Sequence, residues 1–317
     1  MSKSFDFRRA RPWEVALTVL ALSAPMLLPL TAAGDGGFIR KAVAQEMQQA
    51  DTSKLVAIGG AVTEIIYALG EEGRLVARDS TSMYPEAAMT LPDVGYMRAL
   101  SPEGVIAVNP TAILAVEGSG PADALAVLKS AGIPFATVPE GYDRDAILKK
   151  IDVVGQFLGV PEKAKALEEK VGAELDAAIA DAAKRPESER KRVLFVLSFQ
   201  GGRVMAAGKG TAADGIIGLA GGINATDNTF DGYKPITDEA IINAKPDVIL
   251  VMTRGGSHGS SDDEILAHPA ISVTPAAASK SVVRMDGLHL LGFGPRTASA
   301  ITDLNKKFYG KSGNVSQ

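Results

Sequence analysis

Apolar residues follow two patterns along this chain, and each pattern predicts a different element. Short, nearly continuous apolar runs predict strands buried on both faces. They occupy 55–59, 112–116, 192–197 and 247–252. The segments between them carry apolar residues every three or four positions, which predicts amphipathic helices, and Gly70 and Gly132 stand where helix C-caps belong. Such alternation predicts an α/β fold with parallel central sheets covered by helices.

One stretch of this pattern occurs twice. Ser101–Val116 aligns without gaps with Thr237–Met252, and each copy begins with a hydroxyl residue that suits a helix N-cap. Glu103 and Glu239 follow at the same place in the first helical turn, where an acidic residue is favourable. In both copies a proline then ends the helix before an apolar strand. We interpret the match as two homologous Rossmann-like lobes.

The segment between the copies predicts helices instead of a flexible linker. Residues 161–184 are rich in Ala, Glu, Lys and Leu and keep one apolar face, and a shorter helix precedes Gly159. A stiff helical connection restricts hinge motion between lobes. The predicted organisation is an N-terminal lobe, a linking helix and a C-terminal lobe, at 45–142, 143–185 and 186–317.

The first 44 residues resemble a signal peptide. Three arginines near the start precede the uncharged apolar run Val15–Ala33, and Ala42-Val43-Ala44 supplies an A-x-A site. We expect cleavage after Ala44, with Ala33 as the second choice, and export to the periplasm. The alternative is an uncleaved membrane anchor, because about 20 apolar residues span a bilayer.

Composition narrows the function. The chain has 317 residues, a formal net charge of −4, three histidines and no cysteine. Without a basic patch, we expect no nucleic-acid partner. Without cysteine, thiol nucleophiles, disulfides and thiolate metal sites are excluded. No G-x-S-x-G or H-E-x-x-H motif occurs, so we expect no catalytic residues and no enzyme activity. An envelope enzyme built on this scaffold remains the alternative from another class.

The histidines do not form an obvious metal site. His268 precedes a proline at a helix end and His289 lies among leucines, so we expect both to be structural. His258 lies in a Gly/Ser-rich loop and is expected to be solvated, although it is within reach of a ligand.

Loops at the carboxyl ends of parallel strands are where open α/β sheets bind ligands. Tyr84 lies in the first such loop, held extended before a proline, and Arg98 lies in the next. Arg254 directly follows the repeated strand of the second lobe. A tyrosine, two arginines and nearby apolar groups suit a flat, apolar, dianionic ligand, because a tyrosinate oxygen ligates ferric haem and arginine pairs with carboxylates.

Several longer segments carry a family resemblance. They are Asp79-Ser80-Thr81-Ser82-Met83-Tyr84-Pro85, Leu91-Pro92-Asp93-Val94-Gly95-Tyr96-Met97-Arg98, Met205 to Asp214, Gly232-Tyr233-Lys234-Pro235 and Leu291-Gly292-Phe293-Gly294-Pro295-Arg296. In this order they resemble the ABC-importer binding proteins for haem, cobalamin and ferric siderophores, and the periplasmic haem-binding branch most closely. The resemblance covers about 53–310.

This resemblance implies a class III periplasmic binding protein that carries haem as its transported ligand between two lobes. Tyr84 matches the axial iron ligand. The ligand-binding residues are expected to be Tyr96, Met97, Arg98, Tyr233 and Arg254. Some relatives add a histidine ligand from the second lobe, but 197–201 carries Phe199 and Gln200 there, so we expect a single protein ligand.

The resemblance also implies a partner. Relatives dock on an inner-membrane ABC permease and its ATPase through one glutamate per lobe, which Glu103 and Glu239 match. We expect a monomer that delivers haem to this permease. The alternative keeps the fold and binds a corrinoid or a ferric siderophore. The single tryptophan, Trp13, lies in the signal segment, which disfavours the siderophore.

Overall fold

The computed structural model describes residues 51–253 and 260–310. The predicted signal peptide, Arg254 and His258 lie outside these residues. None of the helices within the described part is both long and apolar enough to cross a membrane. The described chain contains two sheets with helices packed around them, and the α/β two-lobe fold class predicted from the sequence is confirmed.

The first lobe is built on a parallel four-stranded sheet with the order β2-β1-β3-β4. Its strands are β1 (Leu55–Ile58), β2 (Leu75–Arg78), β3 (Ala112–Val116) and β4 (Phe135–Val138). Every residue of β1 and β3 is buried, because both strands lie inside the sheet with helices on its faces. Its helices are α1 (Gly60–Ala68), α2 (Pro102–Ile106) and α3 (Ala122–Ser130), and short 3₁₀ turns occupy Glu72–Arg74 and Glu86–Thr90.

The second lobe contains a six-stranded sheet. Its strands are β5 (Arg192–Gln200), β6 (Arg203–Ala207), β7 (Ile223–Asn224), β8 (Tyr233–Ile236), β9 (Val248–Thr253) and β10 (Val282–Asp286). The order is β10-β9-β5-β6-β8, with β7 paired to β5. Its helices are α6 (Ala212–Leu219), α7 (Asp238–Ala244), α8 (Asp262–Leu266), α9 (Pro269–Ser272), α10 (Pro275–Ala278), α11 (Gly287–Leu291) and α12 (Thr297–Tyr309).

This second sheet is mixed, whereas the sequence pattern predicted parallel strands throughout. Its β10, β9 and β5 are parallel, but β6 pairs antiparallel with both β5 and β8. Only Gly201 and Gly202 separate β5 from β6, and both have positive φ angles. So short a connection makes a hairpin, and a hairpin is antiparallel.

The two matched segments have the same local geometry. Ser101 and Thr237 both cap their helices, accepting hydrogen bonds from the backbone N–H groups of Gly104 and Ala240. Asn109 and Lys245, which precede the two prolines, both adopt left-handed φ angles, at 50° and 43°. The same chain reversal therefore leads into β3 and into β9.

Two helices connect the sheets, α4 (Arg144–Phe157) and α5 (Pro161–Ala182). They pack closely, because a Cβ on Gly155 would lie 2.1 Å from the Cβ of Ala164. The α5 helix also packs against α12 of the second lobe. The residue boundaries assigned to the lobes and to the linking helix stay predictions.

The two lobes touch along the segment that follows β10. A Cβ on Gly60, at the start of α1, would lie 2.4 Å from the Cδ1 of Leu288 and 2.8 Å from the backbone oxygen of Thr81, and the backbone contact disfavours any larger residue here. Phe293 packs edge-on against Tyr142, with ring centroids 5.2 Å apart. The residues at 288–296 therefore bring the second lobe directly against α1 of the first.

Candidate functional site

The loop that carries Tyr84 is shaped by one buried carboxylate. Asp79 follows β2 and is fully buried. Its Oδ1 accepts hydrogen bonds from the Gly59 N–H at 2.9 Å and the Ser82 hydroxyl at 2.7 Å. Its Oδ2 accepts from the N–H and the hydroxyl of Thr81. One side chain thus ties the ends of β1 and β2 together and fixes the turn leading to Tyr84.

Arg78 braces the two loops that follow. Its guanidinium donates to the carbonyl oxygens of Ala88 and Asp79, and pairs with the Asp93 carboxylate at 3.2 Å. The Ser80 N–H donates to the Gly95 carbonyl, which joins the Tyr84 loop to the Tyr96 loop. These loops are therefore held in fixed positions at the carboxyl edge of the first sheet, where a ligand site is expected.

Tyr84 lies against a cation from the other lobe. Its side chain is 44% exposed. The guanidinium carbon of Arg296 lies 3.5 Å from the centroid of the Tyr84 ring, which is a close cation–π contact. Arg296 belongs to the segment between α11 and α12, so this contact crosses between the lobes. Tyr84 therefore lies at the contact between the lobes, and its role as a ligand stays a prediction.

Arg296 is held by a buried glutamate. Its Nε and Nη2 atoms donate to the two carboxylate oxygens of Glu64 in α1, at 3.0 Å and 2.6 Å. This fork is the strongest geometry for such a pair. Burial raises the pKa of the Glu64 carboxyl above its usual value, and the hydrogen bonds and charge of Arg296 oppose that effect without cancelling it.

His289 and Asp303 are linked to the Glu64–Arg296 pair through the Arg296 guanidinium. Arg296 Nη1 lies 3.4 Å from Nδ1 of His289, and Nε2 of His289 lies 3.5 Å from a carboxylate oxygen of Asp303. Because arginine only donates, His289 accepts at Nδ1 and carries its proton on Nε2, toward Asp303. His289 is thus structural, as expected, and it positions Arg296.

Three exposed apolar side chains lie near Tyr84 in the sequence. Met83, Met89 and Tyr96 are all exposed, although large apolar residues are usually buried. All three lie in the loops braced by Arg78. Exposed apolar side chains in these loops suit a ligand with a large apolar face.

Met97, Arg98 and Tyr233 are three further residues that the sequence predicts to bind the ligand. Met97 is half-buried and packs on the core, with its sulfur 3.9 Å from the Thr81 hydroxyl. Arg98 is exposed, and its charge acts on the phenols of Tyr142 and Tyr233. Burial raises the pKa of both phenols, and the Arg98 charge opposes that rise. The charge of Arg98, in the first lobe, therefore acts on Tyr233 of the second lobe.

The remaining candidates lie elsewhere. Glu103 and Glu239 are exposed on α2 and α7. His268 is structural, as expected, since its Nδ1 accepts from the Ala270 N–H and its Nε2 lies 3.0 Å from the Gly202 carbonyl. Phe199 packs edge-on against His268. No group of three or more His, Asp or Glu side chains is placed to hold a metal ion in the part of the chain that the structure describes.

Sequence reasoning missed the buried charges at the contact between the lobes. Arg296 was recognised only as part of a family segment, and Glu64 was not singled out. Lys150 in α4 is fully buried as well, with Nζ 3.2 Å from a Glu140 oxygen and 5.9 Å from the Phe293 ring. The sequence carries one signal for Glu64 and Lys150: each is a charged residue on the apolar face of a predicted helix.

Two α/β lobes with a helical connection, and with exposed aromatic and cationic residues at their contact, define an extracytoplasmic substrate-binding protein of the ABC-importer type. A family model described as periplasmic binding protein matches residues 55–287, and the chain belongs to this family. Its members are transport proteins rather than enzymes.

The proteins similar to this chain are named for two different ligands, heme and vitamin B12. The structure of the periplasmic heme-binding protein BhuT in complex with two hemes is 40% identical, with a TM-score of 0.76, over 80% of this chain and 97% of that chain. The apo heme-binding protein RhuT from Roseiflexus sp. RS-1 is 39% identical, with a TM-score of 0.77, over 81% and 98%. A vitamin B12-binding protein from Vibrio parahaemolyticus is 27% identical over 83% of this chain and 91% of that protein.

Proposed function

We propose that this protein binds haem in the periplasm, between its two lobes, and delivers it to an ABC permease and its ATPase in the inner membrane. The observation that carries the proposal is the exposed Tyr84 ring, held by a braced loop and covered by the Arg296 guanidinium at 3.5 Å. The phenolate of an accessible tyrosine is a ligand for ferric haem. The similarity to two heme-binding proteins at about 40% identity supports the same ligand.

The neighbouring residues fit the rest of such a ligand. The exposed Met83, Met89 and Tyr96 offer an apolar surface to the macrocycle. We assign the exposed Arg98 to a propionate, and we assign Arg254, which lies outside the described residues, the same role from the second lobe. Tyr233 and Met97 complete the proposed set, and Tyr84 is its single protein ligand to the iron.

The direct test is Tyr84→Phe, which removes the oxygen and keeps the ring. We expect the mature protein to give a high-spin ferric tyrosinate spectrum with haem, and the variant to lose that spectrum and bind haem about 10- to 100-fold more weakly, because one metal–oxygen bond is lost. Absorbance titration measures both. Tyr309→Phe serves as the control, since its hydroxyl bonds only the backbone of Lys191 and Gly221. An unaltered spectrum in Tyr84→Phe rules out Tyr84 as the ligand.

A corrinoid is the second candidate, favoured by the vitamin B12-binding relatives. It has the same flat, apolar character, but it carries amide side chains in place of two propionates and needs no phenolate from the protein. Parallel titrations with haem, cyanocobalamin and a ferric siderophore decide among them. The haem titration also counts haem molecules per chain, which matters because the BhuT structure holds two.

Docking on the permease is proposed through Glu103 and Glu239. Both are exposed and occupy equivalent places in the two lobes, so they match a partner with two-fold symmetry. Ile106 and Ile242 add support. They are 40% and 43% exposed, stand three residues after each glutamate, and therefore share its helix face.

Charge reversal tests this docking. Glu103→Lys with Glu239→Lys is expected to abolish stimulation of the permease ATPase in proteoliposomes, because each lysine faces the cation that would pair with the glutamate. Haem affinity should stay unchanged. Glu162→Lys is the matched control, since Glu162 is an equally exposed acidic residue in the first turn of α5. Full stimulation by the double variant would leave the two glutamates with only a helix-capping role.

A further inference from the structure

Arg296 joins groups from both lobes at one point. It comes from the second lobe, yet its guanidinium binds Glu64 in α1 and covers the ring of Tyr84 in the first lobe. Its own lobe holds it through His289, which Asp303 supports in turn. Asp79 fixes the turn that leads to Tyr84, and among the described residues Arg296 is the one cation that lies over the Tyr84 ring.

We propose that Arg296 is a positioning residue that couples the placement of the two lobes to the ligand-binding state of Tyr84. While the lobes are together, Glu64 fixes the guanidinium over the Tyr84 ring, which holds the ring in one orientation. When the lobes separate, Arg296 leaves with the second lobe, and Tyr84 loses this contact. If a partner opens the lobes, the binding of the ligand by Tyr84 would weaken as they open. This inference rests on the proposed role of Tyr84.

The Glu64–Arg296 pair suits this coupling because little of it is exposed to water. Glu64 is buried and Arg296 is about three-quarters covered, so water does not replace the pair without movement of the lobes. The lobes also pack closely beside the pair: a built Cβ would lie 2.4 Å from Leu288 at Gly60 and 3.3 Å from Glu64 at Gly294. Interfaces packed in this way tend to have two discrete states instead of a continuum.

The test replaces both charges, so that no unpaired charge is buried. Glu64→Gln with Arg296→Gln is expected to weaken haem binding about ten-fold and to reduce the tyrosinate charge-transfer band, because a desolvated cation–π contact is lost. Arg296→Lys keeps the charge without the fork and should restore part of the band. The matched control is Arg144→Gln with Asp176→Asn, which removes another forked pair, at 2.6 and 2.9 Å, within the helical connection.

A second readout follows the lobes without any ligand. The chain has no cysteine, so Ala131→Cys and Ala278→Cys, both exposed and one in each lobe, take nitroxide labels selectively. We expect the distance distribution between the labels to broaden in the Glu64→Gln, Arg296→Gln background and to stay narrow in the control. Broadening together with loss of the band supports the coupling.

Two results would overturn the inference. If haem affinity and the band are unchanged in the double variant, Arg296 does not position Tyr84. If only the distance distribution broadens, the pair merely ties the lobes together. Failure of the proposed function has a different signature. In that case the wild-type protein does not bind haem, or Tyr84→Phe leaves the haem spectrum intact. Either result also overturns the coupling.

Discussion

Arg296→Gln should lower the free energy of unfolding by about 3 to 5 kcal/mol at neutral pH, because it leaves the carboxylate of Glu64 buried without its partner. Both hydrogen bonds of the fork are lost, and the glutamate has no second cation in contact in the described structure. Chemical denaturation of the ligand-free protein measures the loss. Adding Glu64→Gln should recover most of it, since no charge then remains buried at that place.

The pH dependence of this loss has a defined sign. Burial already raises the pKa of Glu64 in the folded protein, and removing Arg296 takes away the groups that lower it. A carboxyl whose folded pKa exceeds its unfolded value costs stability as pH rises from the unfolded pKa through the folded one. The deficit of Arg296→Gln should therefore be small near pH 4 and complete at neutral pH. A deficit that does not change between pH 5 and pH 8 would contradict a buried, unpaired carboxylate.

The sequence was sufficient for the repeated architecture because that architecture depends on local patterns. A capped helix, a proline and an apolar strand recur in both lobes, and the structure has the same N-caps at Ser101 and Thr237 and the same left-handed residues before the prolines. The exposed tyrosine loop was also predictable, because it follows a parallel strand. These features are set by residues that are close in sequence.

The polar contact between the lobes was not predictable in the same way. Glu64 and Arg296 are 232 positions apart, so the sequence shows each charge without showing its partner. Strands β7 and β8 were missed for a related reason. The first has only two residues, and the second contains a proline, which is tolerated at the edge of a sheet but weakens the strand pattern.

Asp79→Ala is expected to cost about 3 kcal/mol of stability and to impair haem binding as well. The carboxylate accepts four hydrogen bonds, and the alanine leaves the buried Gly59 N–H and the Ser82 hydroxyl without their acceptor. The same change frees the turn that leads to Tyr84, so the ring should lose its fixed place beside Arg296. We therefore expect a lower unfolding midpoint and a weaker tyrosinate band in one variant.

Asp143→Ala is the matched control for that prediction. Asp143 is exposed and accepts a single hydrogen bond, from the Ala146 N–H at the start of α4. Its loss should cost only about 1 kcal/mol, as for other N-caps, and should leave the haem spectrum unaltered. If Asp79→Ala behaves like this control, the buried carboxylate does not hold the loop, and the position of Tyr84 depends on Arg78 and Arg296 instead.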